Sequence, residues 1–217
     1  MRKGLLALDL DGVLLEEESS WEIYHRLLGT AGPERERNMD LFFSGRIDYE
    51  AWARLDAGLW TGRDIGPVDD YLTHLNVSKG ARELVGSMHD LGVMTAIVST
   101  GISRIARKVG AELGIDEVIS NDVEVAEGRI TGEVKVRCPF YGKGSVVRAL
   151  AGRMGIPLGM SACVGDGEND ITMFEVVGFS IAHNPVSQEV ASRADLVIRG
   201  ELHKTRDILI EHYRSLI

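Results

Sequence analysis

The sequence predicts an α/β fold, with a parallel sheet covered by helices on both faces and a small helical unit inserted after the first strand. A short apolar run at residues 5–8 ends in acidic residues and a glycine, as a buried strand followed by a loop does. Residues 16–75 then show only helical spacing. From residue 79 onward strand and helix patterns alternate, which is typical of a parallel sheet with helical crossovers.

The inserted segment consists of four stretches with apolar residues three and four positions apart, separated by glycines and prolines. The predicted helices cover residues 21–28, 39–43, 49–59 and 68–75. No strand pattern interrupts them. This pattern predicts a small helical bundle inserted after the first strand.

The remainder of the chain supplies the other elements of the predicted sheet. The predicted strands are 93–99, 117–120, 161–164, 179–182 and 196–198, with a β-hairpin over 123–136 that turns at 127–129. The predicted helices are 81–91, 103–113, 145–154, 170–177, 186–192 and 205–216. Ligands of parallel sheets bind beyond the carboxyl ends of the strands, so residues that follow the strands are the candidates for function.

Composition narrows the possible partners. The 217 residues carry a net charge of −9, which argues against general nucleic-acid binding but leaves a phosphorylated small molecule possible. Two cysteines are too few for a disulfide framework and favour a reducing, cytoplasmic compartment. No apolar run is long enough for a signal peptide or a membrane span, so we expect no membrane partner. Both a monomer and a homodimer remain open.

Two acidic motifs follow predicted strands. Asp9 and Asp11 are two positions apart, so an extended backbone points both side chains to one side, and they repel each other unless a cation or proton compensates. Asp166 and Asp170 follow another strand and open a helix. Alone, the first pair could be solvated loop acids and the second an ordinary helix cap. Together they offer carboxylates to one edge of the sheet, and Mg²⁺ prefers such ligands.

Two further motifs suit an anionic ligand. Ser99, Thr100 and Gly101 follow a strand and precede a helix, where hydroxyls and free backbone N–H groups can hold phosphate. Lys143 lies between two glycines just before a helix and could reach a phosphate as a point charge. Taken singly, the first motif is better explained as an ordinary helix cap and the second as a surface lysine in a turn.

In combination the motifs are specific. Their order is Asp-x-Asp, Ser-Thr-Gly, Lys and Gly-Asp-Gly-x-Asn-Asp, and it resembles the haloacid dehalogenase superfamily of phosphatases, within it the phosphoserine phosphatase group. The resemblance extends over essentially the whole length, since the helical insert matches the cap of that group. It implies a Rossmann-like core of residues 1–15 and 77–217 with a helical cap domain of residues 16–76. It also implies a Mg²⁺ cofactor and a small-molecule phosphomonoester as substrate.

The resemblance also implies roles for the acidic residues and the lysine. Asp9 would be the nucleophile that forms an aspartyl-phosphate, and Asp11 would act as general acid and then as general base. Lys143 would balance the charges of Asp9 and the phosphate. Mg²⁺ would be held by Asp9, by the backbone carbonyl of Asp11 and by Asp166, with Asp170 supporting that shell through water.

Further residues would bind the phosphate and the rest of the substrate. By the same resemblance, Ser99, Thr100 and Gly101 would hold phosphate oxygens, and Asn169 would contact phosphate or substrate. The core motifs therefore imply the chemistry, and the cap implies the choice of substrate.

The cap residues fit the resemblance less well. Glu18 stands where the group keeps a glutamate for the substrate ammonium, and Tyr49 stands where it keeps an aromatic residue. Asp56 stands where the group has an arginine that pairs with the substrate carboxylate, and an aspartate would repel that group. Arg54 and Arg46 are the nearby arginines, and we take Arg54 as the candidate. The alignment could slip, another arginine could serve, or the substrate could lack the carboxylate.

Three functions remain open from the sequence. The first is a phosphoserine phosphatase, and the second is a phosphatase of the same type for another small phosphomonoester. The third belongs to another class: a phosphotransferase or a non-catalytic phosphoester-binding protein. The complete set of core residues argues against a non-catalytic protein, whereas a phosphotransferase needs the same set.

Overall fold

The structure is a computed structural model that describes residues 3–15 and 19–216. Its centre is a seven-stranded sheet. The strands are β1 (Gly4–Leu8), β2 (Val93–Ile102), β3 (Glu117–Ala126), β4 (Arg129–Lys135), β5 (Ser161–Gly165), β6 (Phe179–His183) and β7 (Leu196–Ile198). Their order in the sheet is β4-β3-β2-β1-β5-β6-β7, and only the β3–β4 pair is antiparallel. The predicted α/β fold with a mostly parallel sheet is confirmed.

Ten α-helices accompany the sheet in the described part of the chain. They are α1 (Ser20–Leu27), α2 (Pro33–Phe43), α3 (Tyr49–Gly58), α4 (Gly66–Thr73), α5 (Ala81–Asp90), α6 (Ser103–Leu113), α7 (Lys143–Met154), α8 (Ile171–Phe174), α9 (Gln188–Arg193) and α10 (Leu202–Leu216). Across the residues described, none of the helices has both the length and the apolar character needed to cross a membrane.

The central strand β1 is buried along its whole length, because helices cover both faces of the sheet. It pairs in parallel with β2 on one side and with β5 on the other. Leu8 is level with Ile97 of β2 and Val164 of β5. The next residue, Asp9, donates its backbone N–H to the Val164 carbonyl at 3.0 Å. The chain therefore leaves the sheet between two strand ends, where ligands of such sheets bind.

Helices α1 to α4 occupy the stretch between β1 and α5 and share an aromatic core. The ring centroids of Trp21 and Trp52 are 4.7 Å apart, and those of Trp21 and Trp60 are 5.5 Å apart. Trp60 is fully buried and also packs against Tyr24 at 5.1 Å. The helical spacing predicted for this segment is confirmed, although α2 begins six residues earlier than expected, with Pro33 in its first turn.

Several helix ends are shifted by one to three residues from the sequence prediction, and three larger differences lie in the core. The strand at 117–120 and the first arm of the hairpin form one strand, β3, because the polar Asn121 that breaks the apolar pattern is buried and hydrogen-bonded within it. Strand β2 continues to Ile102, and its pairing with β3 is irregular between Val98 and Ile102. The helix predicted at 170–177 is shorter: a 3₁₀ turn at Glu168–Asp170 leads into α8.

Candidate active site

A cluster of buried charges lies at the carboxyl edge of the sheet. The Lys143 ammonium is 2.7 Å from Asp9 Oδ1 and 2.6 Å from Asp170 Oδ1. Burial disfavours the charged lysine, but Asp170 and Asp9 outweigh that effect and raise the pKa of Lys143. Burial, followed by repulsion from Asp170, raises the pKa of Asp9, and Lys143 partly offsets the rise. The lysine predicted from its two flanking glycines is thus a buried counter-ion to both carboxylates.

Asp170 holds the loop after β5 in place. Its Oδ2 accepts the backbone N–H groups of Asp166 at 2.9 Å and Gly167 at 3.0 Å, while its Oδ1 accepts from Lys143. The end of β5 must come very close to this carboxylate. A Cβ at Gly165 would lie 2.3 Å from the Asp170 carboxyl carbon, so only glycine fits there.

Three carboxylates from two strand ends come together beside this loop. Oxygens of Asp9, Asp166 and Asp170 all lie within 4.8 Å of one another. Burial and the neighbouring Asp170 raise the pKa of Asp166 to about 7. Gly12 has a φ of 78°, and a Cβ there would meet Asp166 Oδ2 at 2.2 Å, so the loop after β1 needs glycine to pack this closely. An all-oxygen donor set of this kind fits a hard divalent cation.

Asp11 is held by the start of the inserted helices. Its Oδ2 accepts the Ser20 backbone N–H at 3.1 Å and the Ser20 hydroxyl at 3.3 Å. Its Oδ1 is buried and has no hydrogen-bond partner among the residues that the structure describes. Burial raises the pKa of Asp11 to about 6, against the opposing effect of Ser20. This carboxyl group can therefore exchange a proton near neutral pH.

The segment predicted to hold phosphate lies in the irregular end of β2. Ser99 Oγ accepts the Gly101 backbone N–H at 2.9 Å, and Thr100 Oγ1 accepts from the Asn169 amide at 3.1 Å. A Cβ at Gly101 would lie 2.2 Å from the Ser20 hydroxyl, so the inserted helices approach this backbone directly. The Ser-Thr-Gly and Gly-Asp-Gly-x-Asn-Asp motifs, far apart in sequence, thus meet.

The Thr100 carbonyl joins the core to the inserted helices. It accepts hydrogen bonds from Trp21 Nε1 at 3.0 Å, from the Tyr49 hydroxyl at 2.5 Å and from the Asn121 amide at 2.8 Å. The Asn121 oxygen in turn accepts the backbone N–H of Cys138 at 2.9 Å. Sequence analysis missed Asn121, which lies between the polar residues Ser120 and Asp122 and gives no separate signal in the sequence.

A cavity of about 340 Å³ opens between this edge of the sheet and the inserted helices. Of the site residues predicted from sequence, it is lined by Asp9, Asp11, Tyr49, Thr100, Asp166 and Asn169. The other lining residues from the helices are Trp21, Glu22, His25, Arg35, Met39, Phe42, Phe43, Trp52 and Asp56. The acid-rich edge of the sheet therefore faces a wall that is mostly aromatic.

Arg54 lies away from the cavity. Its side chain is 58% exposed and its guanidinium is 3.5 Å from Glu50, one turn earlier on α3. Asp56, two residues later, points to another side of the helix and is buried, accepting from His25 Nε2 at 3.0 Å and from the Asn38 amide at 2.8 Å. The structure thus places Arg35, not Arg54, at the cavity. Glu18 lies outside the described residues.

Sequence spacing gives a partial signal for the helical wall. Arg35, Met39 and Phe42 on α2 are four and three residues apart, and Tyr49, Trp52 and Asp56 on α3 follow the same rule. Such spacing places residues on one helical face. The sequence does not say which face meets the cavity, because that depends on how the helices pack.

Comparison with known proteins identifies the family. A model of the family described as haloacid dehalogenase-like hydrolase matches residues 6–175. The chain belongs to the haloacid dehalogenase-like hydrolase family. The matched range contains all the acidic residues of the buried cluster together with Lys143.

Curated relatives of this chain include phosphoserine phosphatases. The chain is 30% identical over 213 residues to that of Methanocaldococcus jannaschii, covering 96% of this chain and 97% of the relative. It is 29% identical over 195 residues to that of Streptomyces coelicolor, covering 88% of this chain but 47% of the relative. The chain spans about half the length of this and two further curated relatives.

The fold agrees with a solved member of the same group. A structure described as a phospho-aspartyl intermediate analogue of phosphoserine phosphatase superposes with a TM-score of 0.79 at 28% identity. The match covers 96% of this chain and 98% of that one. The match therefore extends over both the sheet and the inserted helices.

Proposed function

We propose that the protein is a Mg²⁺-dependent phosphomonoester hydrolase that works through an aspartyl-phosphate on Asp9, with O-phospho-L-serine as its substrate. The observation that carries this proposal is the buried contact of Asp9 with Lys143 at the junction of β1, β2 and β5. The positive charge of Lys143 holds the Asp9 carboxylate in place, as a nucleophile requires. The second acid, Asp11, has a pKa raised to about 6 and can act as the acid catalyst.

In the first step an Asp9 oxygen attacks the phosphorus and the bond to the serine oxygen breaks. Asp11 gives its proton to that leaving oxygen, so serine departs as the alcohol. In the second step water attacks the phosphorus, Asp11 takes a proton from it, and the bond between Asp9 and phosphorus breaks. Lys143 keeps its charge throughout and offsets the negative charge that gathers around Asp9.

The three clustered carboxylates would hold the cation. Asp9 and Asp166 would supply ligand oxygens, and Asp170 would support them, because both of its oxygens already accept hydrogen bonds from Lys143 and the backbone. When bound, Mg²⁺ allows an anionic nucleophile to approach an anionic phosphate. The raised pKa of Asp166 reflects an excess of negative charge in a buried place, which a divalent cation would relieve.

The polar groups at the end of β2 would hold the phosphate. Ser99, the Thr100 N–H and Gly101 lie together at the end of β2, and the Asn169 amide donates to the Thr100 hydroxyl. Residues 16–76 would then act as a cap domain over a core of residues 1–15 and 77–217. Such a cap excludes water from the reacting phosphate and selects the remainder of the substrate.

Phosphoserine is favoured as substrate by the relatives described above. Release of serine would connect the activity to serine biosynthesis. Both cysteines, Cys138 and Cys163, are buried and free, which supports a cytoplasmic location. The second candidate, another small phosphomonoester, is favoured by the buried Asp56, since an acidic residue stands where the group keeps an arginine.

The test is release of inorganic phosphate from L-phosphoserine with Mg²⁺, beside sugar, glycerol and nucleotide monophosphates. Mass spectrometry of quenched protein would locate a phosphoryl group on Asp9. Preference for phosphoserine with labelling at Asp9 is the expected result. Good turnover of another ester and poor turnover of phosphoserine would select the second candidate, and labelling elsewhere would overturn the mechanism.

A further inference from the structure

The helical wall of the cavity carries a carboxylate paired with a guanidinium. Glu22 of α1 and Arg35 of α2 form an ion pair, and both residues line the cavity. Arg35 is the one arginine or lysine among the lining residues in the described part of the chain. This pair therefore supplies the positive charge that the cavity offers on the side of the inserted helices.

The pair is only partly open to solvent. The Arg35 side chain is 18% exposed and that of Glu22 is 33% exposed, whereas the Arg54–Glu50 pair is 58% and 61% exposed. Arg35 also donates to Met39 Sδ at 2.9 Å, which keeps its guanidinium against the cavity wall. Partial burial reduces screening by water and strengthens the electrostatic interaction of these charges with a bound ligand.

We propose that Arg35 and Glu22 recognise the amino-acid end of the substrate, a specificity role that rests on the proposed function. The Arg35 guanidinium takes the α-carboxylate in a two-pronged contact, and the Glu22 carboxylate takes the α-ammonium. Phosphoserine bears these two charges on one carbon atom. Each member of the pair exchanges its present partner for a substrate group, so neither is left with an unpaired buried charge.

Other charged groups near the cavity already have hydrogen-bond or ion-pair partners. Asp56 is fully buried, and each of its oxygens accepts a hydrogen bond, one from His25 and one from Asn38. The other nitrogen of His25 lies 2.8 Å from the Thr30 hydroxyl. Lys143 is fully buried between Asp9 and Asp170. Among the described residues that line the helical wall, the Glu22–Arg35 pair is thus the set of charges that can change partners.

The test compares three substrates in Arg35→Ala and Glu22→Gln. Phosphoethanolamine lacks the carboxylate, and 3-phosphohydroxypropionate lacks the ammonium. Arg35→Ala should raise KM for phosphoserine about 100-fold, with kcat within about threefold, and leave KM for phosphoethanolamine unchanged. Glu22→Gln should raise KM for phosphoserine about tenfold and leave that for 3-phosphohydroxypropionate unchanged. Arg35→Lys, which keeps the charge without the fork, should fall between.

Arg37→Ala is the matched control, since Arg37 is exposed on the same helix. Equal losses for phosphoserine and phosphoethanolamine in Arg35→Ala would show a merely structural effect and overturn the proposal. A loss in Arg54→Ala as large as in Arg35→Ala would overturn it in favour of Arg54.

A binding measurement separates this proposal from the hydrolase proposal. Calorimetric titration of Asp9→Asn protein with phosphoserine does not require turnover. Binding that weakens about 100-fold when Arg35→Ala is added supports the recognition role even if no ester is hydrolysed. Equal binding with and without Arg35 overturns it even if the wild-type protein is an active phosphatase.

Discussion

The two walls of the cavity differ in how their charged groups are held. At the sheet edge the charged groups are buried and fixed, with Lys143 in contact with Asp9 and Asp170 and each of the three at most 4% exposed. On the helical wall the Glu22–Arg35 pair is partly exposed and its members bind each other. The first arrangement favours one reaction geometry, and the second can exchange a partner for a ligand.

The backbone differs between the walls in the same way. At the sheet edge Gly12, Gly101 and Gly165 lie where a Cβ would be within 2.3 Å of another side-chain atom. The helical wall consists of side chains on regular helical faces, without such constraints. Substitutions at the sheet edge should therefore damage the chemistry, whereas substitutions on the helices should mainly change which ester is accepted.

The sharpest way to test this contrast is Asp9→Asn. Removal of the nucleophilic carboxylate should lower kcat for phosphate release at least about 1000-fold, because no covalent intermediate can form. The measurement is phosphate release from phosphoserine with Mg²⁺. Asp90→Asn, at an exposed acid at the end of α5, should retain full activity. Full activity in Asp9→Asn would refute the mechanism.

Replacement of Lys143 by Met should lower stability by about 3–5 kcal/mol, because two buried carboxylates lose their counter-ion. The pKa of Asp9, already raised, would rise further, so the folded state binds more protons than the unfolded state. Stability of this variant should therefore fall as pH rises from 6 to 8. Urea denaturation at both pH values checks this. Lys108→Met, at a lysine 43% exposed, is the control, and an equal loss there would contradict the argument.

Mg²⁺ should bind more tightly as pH rises. Asp166 has a raised pKa of about 7 and must lose its proton before it can act as a ligand. Between pH 6 and pH 8 the deprotonated fraction rises about tenfold, and the affinity should rise by about the same factor. Calorimetric titration with MgCl₂ measures it. The pH dependence should become weaker in Asp166→Asn, where Asp9, whose pKa is also raised, is the remaining titrating ligand. An affinity independent of pH in the wild-type protein would count against this site.

The smallest expected effect is at the contact between the walls. Tyr49→Phe removes one of three donors to the Thr100 carbonyl and should cost about 1 kcal/mol of stability. Thermal unfolding measures the loss. Tyr141→Phe, at a ring 65% exposed, should leave the melting temperature unchanged. If both variants behave alike, the Tyr49 hydroxyl does not join the two walls.

Much of the sheet edge was predictable because local patterns and topology determine it together. The apolar runs at 5–8 and 161–164 predicted buried strands, and parallel strands place their carboxyl ends at one edge. This topology predicts that Asp9 and Asp166 lie close together, as they do in the structure. The buried ion pair of Lys143 was harder to predict from the local pattern, because a lysine between glycines suggests a turn at the surface.

The helical wall was harder to predict, since it depends on packing between helices. Arg54 was chosen for its nearness in sequence to Asp56, but two positions on a helix separate side chains by about 200°. Arg35 is far from Asp56 in sequence and reaches the cavity because α2 packs beside α3. Asn121 was missed for a related reason: its hydrogen bonds to Thr100 and Cys138 exist only in the folded chain.

The peptide unit between Thr100 and Gly101 is a rigid link between the inserted helices and Ser99. Its oxygen accepts from Trp21 and Tyr49 of the inserted helices, and its N–H donates to the Ser99 hydroxyl. Because a peptide unit is planar, any motion of the helices that turns the oxygen also turns the N–H. A shift of the inserted helices would thus be transmitted through this planar peptide unit to the Ser99 hydroxyl, which we propose for phosphate binding. The position of the helices and the binding of phosphate would therefore change together.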